Sequence, residues 1–262
     1  MNSIYDIIQA VQDIQKKCNH KVLWFRGHNN AGYKLNSGLH RISNRKEDLM
    51  LYENQLYNTF INYGDFYCKH FIEHKAWNTL FLMQHYGLYT RLLDWTDSLM
   101  TALYFATYER KEQDACIWIL DPVGMNRKCI GLYEGENTNN ININVLSLET
   151  LPKNIQDPRA YFNNERLEIG SFALIPRRNN DRLVSQNGSF VVQGTRECSL
   201  EEEYGGYIGE FLFKILIPKE LVEEVRNYAL LNGINYYALY GGIEGLCKYV
   251  KEEMLDIKLK NI

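Results

Sequence analysis

Residues 84–96 read Gln84-His85-Tyr86-Gly87-Leu88-Tyr89-Thr90-Arg91-Leu92-Leu93-Asp94-Trp95-Thr96, and this stretch divides the chain. From about residue 46 up to it the pattern is helical: Leu49, Leu51, Leu56, Phe60 and Phe66 come first, then Trp77, Leu80, Phe81 and Met83. Beyond it, Ser98–Glu109 restarts the helical pattern with Thr96 or Asp97 as the expected N-cap. The stretch itself breaks the period, so the chain should run helix, loop or short strand, helix. A density of polar and aromatic groups held between apolar segments suits the wall of a pocket. A structural reading stays open, because Arg91 and Asp94 can pair with each other and Thr90 and Thr96 can cap helices.

Working outward towards the N-terminus, Lys21–Phe25 is a short apolar run expected as a buried strand ending at Arg26-Gly27. An arginine at such a strand end, followed by a residue that lets backbone approach closely, suits bidentate capture of a phosphate or carboxylate. Pairing with a structural carboxylate is the alternative. Residues 3–17 place Ile4, Ile7, Ile8, Val11 and Ile14 on one helical face.

Towards the C-terminus, strands are expected at 115–120, 141–145, 170–175, 189–192 and 210–217, and helices at about 219–232 and 243–255. The asparagine-rich stretch 135–144 reads as an exposed loop. Residues 182–190 enter a strand, with Gln186 able to orient a ligand amide and Gly188 able to admit close backbone approach. The expected architecture is therefore α+β, a helical N-terminal half packed on a mixed, mostly antiparallel sheet. With 262 residues and neither internal repeat nor linker, a single domain over 1–262 is expected.

A formal net charge of −3 gives no overall cationic field to attract nucleic acid. Nineteen tyrosines could stack bases only within a local groove, for which Arg26, Arg91, Arg177, Arg178 and Arg182 are the available cations. The six cysteines lack CxxC spacing and read as reduced thiols. The N-terminus has no basic segment followed by an apolar core, and no run reaches membrane-spanning length, which points to a cytoplasmic location without a membrane partner. His70-Phe71-Ile72-Glu73-His74 fits H-x-x-E-H, but such short motifs arise by chance and no further ligand is specified, so no metal is expected. Glu201-Glu202-Glu203 reads as a solvated turn.

Taken together the motifs resemble the FRG-domain family, named for its Phe-Arg-Gly triplet, over about residues 20–250. The triplet stands at Phe25-Arg26-Gly27, the QHYGxPTRLLDWT block at 84–96, the A-x-x-F-A helix at Ala102–Ala106, and the QxGxF element at Gln186, Gly188 and Phe190. The closing pattern stands at Gly233-Ile234, Leu239 and Gly245. Tyr89 replaces the family's proline, and Gly241-Gly242-Ile243-Glu244 replaces an acidic P-D-L-D-like stretch. The order of Arg strand, Thr strand and helix is also similar to that of toxin-type ADP-ribosyltransferases. That likeness implies an ADP-ribosyltransferase-like fold and NAD as substrate. Arg26 would hold the pyrophosphate, Thr96 would brace the nicotinamide side, and Tyr86 or Tyr104 would stack on nicotinamide. Gly27, His85, Arg91 and Gln186 would complete the NAD site, and Arg26 with Asp94, Glu197 and Glu244 would be the catalytic candidates. The implied role is modification of a protein or nucleic-acid acceptor, in the manner of a bacterial toxin or phage-defence effector. The alternative is a non-catalytic module for a nucleotide or phosphorylated partner.

Overall fold

The computed structural model describes residues 1–18, 22–72, 76–109, 112–132, 145–176 and 185–255. It is α+β, with ten helices among the described residues and a seven-stranded, mostly antiparallel sheet. In chain order the strands are β1 (Trp24–His28), β2 (Leu92–Thr96), β3 (Ala115–Leu120), β4 (Leu146–Ser147), β5 (Phe172–Ile175), β6 (Gly188–Val192) and β7 (Leu212–Ile217). Their spatial order is β4-β5-β6-β2-β1-β3-β7, and only β4 and β5 run parallel. The helices that position the site are α1 (Ile4–Lys17), α2 (Lys46–Ile72), α3 (Ala76–His85) and α4 (Leu99–Thr107). After these come α5 (Pro122–Lys128), α6 (Ala160–Asn163), α7 (Leu200–Glu203), α8 (Val222–Leu231), α9 (Tyr236–Tyr240) and α10 (Gly242–Tyr249).

Strand alternation assigns the packing. Phe25, Ile117, Ile119, Phe213 and Ile215 point to one face, where α1, α4 and α8 cover the β1-β3-β7 half with Ile7, Leu103 and Val225. On the other half, Leu92, Phe172, Phe190 and Val192 meet Tyr57 of α2 and Leu80, Phe81 and Met83 of α3. The opposite face of the sheet carries Trp24, Leu93, Trp95, Cys116 and Val191, buried beneath Leu35, Leu200, Tyr204 and Phe211.

Several expectations need correction. The helical N-terminal half also supplies β1 and β2, expected as a strand at 21–25 and as a loop or short strand within 84–96, and both lie at the centre of the sheet. Strand β1 begins at Trp24 and continues through Arg26-Gly27 to His28, since β3 pairs with it along its whole length from Trp24↔Leu120 to His28↔Cys116. The N-cap of α4 is Ser98, whose side chain accepts from Thr101 N at 3.2 Å. Thr96 is used instead to accept from Ser98 N at 3.0 Å and to donate to Gln186 O at 2.7 Å. The loop expected at 135–144, all but Val145 of the strand expected at 141–145, and Arg177, Arg178 and Arg182 lie outside the described residues, as do Glu73, His74 and the side chain of His70. Among the described residues no helix is long and apolar enough to cross a membrane.

The sheet is most thinly joined in its middle. Five residue pairs join β1 to β3 and five join β2 to β6, yet β1 and β2 are in register at a single pair, Phe25↔Thr96. Past that pair no further residue pair joins the two strands, which leaves a seam.

Gly27 shows why the triplet needs its glycine. A Cβ there would stand 2.0 Å from Ala102 O and 2.6 Å from Ala106 N, because α4 lies directly on β1. Gly27→Ala would have to push a helix backbone away, and overpacking of this kind costs about 1–3 kcal/mol. A fall of that size in urea-unfolding stability is the expected result; an unchanged midpoint would contradict the close approach.

Candidate functional site

A cavity of about 340 Å³ opens over the seam. Arg26, Gly27, Asp94, Thr96 and Gln186 all line it, so three separated sequence segments converge there. The other wall is aromatic, formed by Phe105 and Tyr108 of α4 and its C-terminal end and by Tyr240 of α9. Asn29 and Thr101 also reach it.

Arg26 spans the seam. Its Nη1 donates to the backbone oxygen of Asp94 at 2.5 Å and lies 4.0 Å from the Asp94 carboxylate. Its Nε donates to His28 Nε2 at 3.1 Å, a side chain two residues on and therefore on the same face of β1. Burial, with Arg26 beside it, pushes His28 down to about 3, so the ring is neutral and its Nε2 lone pair is free to accept. Burial also draws the Arg26 guanidinium below its usual range while Asp94 opposes the shift. Two of the fork's three nitrogens thus donate within the protein.

Asp94 is held from the other side. Gln84 Nε2 donates to Asp94 Oδ2 at 2.9 Å, and Gln84 Oε1 accepts from Thr90 Oγ1 at 2.7 Å, which fixes the orientation of the amide. The Asp94 side chain is nonetheless 57% exposed, so a carboxylate oriented by the protein remains open to whatever enters the cavity. Gln186 is fixed in the same way, donating to Leu239 O at 3.2 Å beside Ser185 Oγ at 2.8 Å.

The remaining expected site residues lie elsewhere. Arg91 is buried against Glu53 and over the Tyr161 ring, 3.8 Å from its centroid, so it organises α2 and the start of β2 and does not line the cavity. Tyr104 is fully buried with Ala229 and Leu239, one position around α4 from the lining Phe105. His85 is the last residue of α3 and Tyr86 follows it, the two rings in edge contact outside the lining, and Tyr86 is exposed. Glu197 accepts from Lys46 N at 2.7 Å, which makes it a cap for the start of α2. Glu244 is exposed on α10 and does not line the cavity. Of the three carboxylates expected as candidates, only Asp94 lines it.

Phe105, Tyr108, Tyr240, Asn29 and Thr101 were not foreseen. Helical spacing offered part of the answer, since Thr101, Phe105 and Tyr108 fall on one face of α4 at steps of four and three. Nothing local points to Tyr240, which reaches the cavity only because α8 and α9 return to α4.

Residues 21–115 match the family model described as FRG domain. This stretch of the chain is an FRG domain. The match contains both strands of the seam, Gln84, Asp94 and all of α4, but it ends at the first residue of β3. Gln186 and Tyr240 of the cavity lie outside the matched FRG segment. No curated protein and no solved structure matches the chain.

Proposed function

We propose that the cavity is an NAD site and that the chain is an ADP-ribosyltransferase-like enzyme, of corresponding fold, modifying a macromolecular acceptor. The observation that carries this reading is the meeting of Arg26 and Asp94 across the seam, beside Thr96 and Gln186 and opposite three aromatic rings. Arg26 supplies positive charge for a phosphate of the pyrophosphate. Phe105, Tyr108 and Tyr240 supply faces for a flat ring. In the reaction the bond from ribose C1′ to the nicotinamide nitrogen breaks, and nicotinamide leaves with the electron pair. An acceptor oxygen or nitrogen then bonds to C1′ and loses a proton. Positive charge develops on the ribose in between, and Asp94 is the carboxylate placed to stabilise it.

At about 340 Å³ the cavity is at the small end of ligand sites, which run roughly 300–1,000 Å³. It suits the nicotinamide-ribose-phosphate end of NAD, with the adenosine end outside. That size equally favours a second reading, a non-catalytic module holding a single nucleotide or a phosphorylated partner.

Calorimetric titration with NAD, run alongside an assay for nicotinamide release in cell extract, tests both. Arg26→Ala should weaken NAD binding by about tenfold to a hundredfold, the worth of a charge-assisted hydrogen bond, with an unchanged circular dichroism spectrum. Asp94→Asn should keep binding and lose nicotinamide release. Binding without release by the wild type would favour the second reading; absence of NAD binding would remove the first.

A further inference from the structure

The inner face of α2 is buried through Leu49, Glu53 and Tyr57. A second stripe, Tyr52, Leu56, Thr59, Tyr63 and Phe66, climbs the same helix at alternating steps of four and three residues. That 3.5-residue repeat is the one by which a helix seams against another helix. Here it meets solvent: Tyr63 is 79% exposed, Phe66 80% and the adjoining Tyr67 82%. Lower on the helix, Tyr52, Leu56 and Phe60 form a groove of about 710 Å³ with Leu88 and Tyr89.

Gly64 lines the same groove. Glycine is the poorest helix former after proline, so a glycine in mid-helix calls for a reason. Among the described residues the fold of one chain supplies none: an added Cβ at Gly64 would meet the Phe60 ring at 3.7 Å, an ordinary contact. Close approach by another backbone supplies the reason.

We propose that α2 packs antiparallel against α2 of a second copy, crossing near Tyr63 and Gly64. Phe66 and Tyr67 of each copy then enter the groove of the other, so one patch serves as both knob and socket, as a two-fold interface requires. Tyr52, Leu56, Thr59, Tyr63 and Phe66, with the flanking Gln55, Phe60, Gly64 and Tyr67, are all uncharged, so like charges do not meet along the crossing. Aromatic side chains present about 150–250 Å² each, so Tyr63, Phe66, Tyr67 and Tyr89 together expose roughly 600 Å² before half-buried Tyr52, Leu56 and Phe60 are added. A stable interface needs about 800 Å² per partner.

Sedimentation of the full chain over a micromolar concentration series is the test. The wild type should run as a dimer. Phe66→Glu and Gly64→Leu should each raise the dissociation constant at least about a hundredfold, as loss of a central anchor does. Gly64→Leu is its own control for folding, because leucine is the better helix former, and its helical circular dichroism should be retained. A wild type that stays monomeric throughout the series, or a dimer that tolerates both substitutions, overturns the proposal.

Discussion

Glu53→Ala should cost about 3–5 kcal/mol of stability, the penalty for leaving a buried charge without its partner. Arg91 is the charge concerned. Its Nε donates to Glu53 Oε1 at 2.7 Å and its Nη2 to Glu53 Oε2, while Nη1 donates to the backbone oxygens of Gln193 at 2.8 Å and Gly194 at 3.2 Å. Neither side chain has more than 3% of its surface exposed. One ion pair therefore joins α2 to the start of β2 and to the chain leaving β6. Thermal unfolding should show a fall of roughly 6–20 °C for a chain of this size. Replacing both partners by apolar residues of similar volume should recover much of the loss, since the desolvation cost disappears with the pair. A Glu53→Ala protein that melts with the wild type would sink this account of Arg91.

The second large effect is a loss of stability in acid. His28 and His40 are both buried, and burial pushes each down to about 3, helped by Arg26 at His28 and by Arg91 at His40. In the unfolded chain a histidine titrates near its ordinary value of about 6.5. Between those limits the unfolded chain binds the extra protons, so stability rises with pH. The contribution is complete above about pH 6.5 and is lost as pH falls towards 3. Each histidine accounts for about 1.4 kcal/mol per pH unit in that window, or roughly 5 kcal/mol for the two between pH 6 and 4. Urea midpoints measured down this range should fall steeply, and His28→Asn and His40→Asn should each flatten the slope by about one proton. A slope indifferent to both replacements would show that neither ring is held neutral.

Much of the site was legible because its polar members occur in three compact segments. Arg26, Asp94, Thr96 and Gln186 were each singled out from residue type and neighbours, and the fold brings them to one cavity. Arg91 was grouped with them by proximity in sequence alone. The parts of the block face different ways: Thr90 and Gln84 brace Asp94, whereas Arg91 turns inward to Glu53, a partner 38 residues away that no local pattern reveals. Glu197 failed for a similar reason, since its use as a cap depends on where α2 begins. The longer helices and most strands were readable from periodicity, but the short α5, α6, α7 and α9 were not. Glu201-Glu202-Glu203, expected as a solvated turn, belongs to α7, where the Glu203 side chain is buried and accepts from Ser171 N and Oγ. The strand at Arg26-Gly27 was cut short because glycine reads as a stop, and here it is a point of contact with α4. The sheet's central seam has no sequence pattern at all, because it is defined by residue pairs that do not form.

That seam also bears on how the chain can be divided. On one side stand β1, β3 and β7, and on the other β2, β4, β5 and β6. The polypeptide passes from side to side four times as it runs from β1 to β7, so neither panel is a contiguous piece of sequence. The joint is weak in hydrogen bonds but strongly sewn by covalent connection. Cutting at residue 115 would separate β2 from β6 and β1 from β3, stripping both central strands of their best partners. The recognisable segment and the foldable one are therefore different lengths of chain.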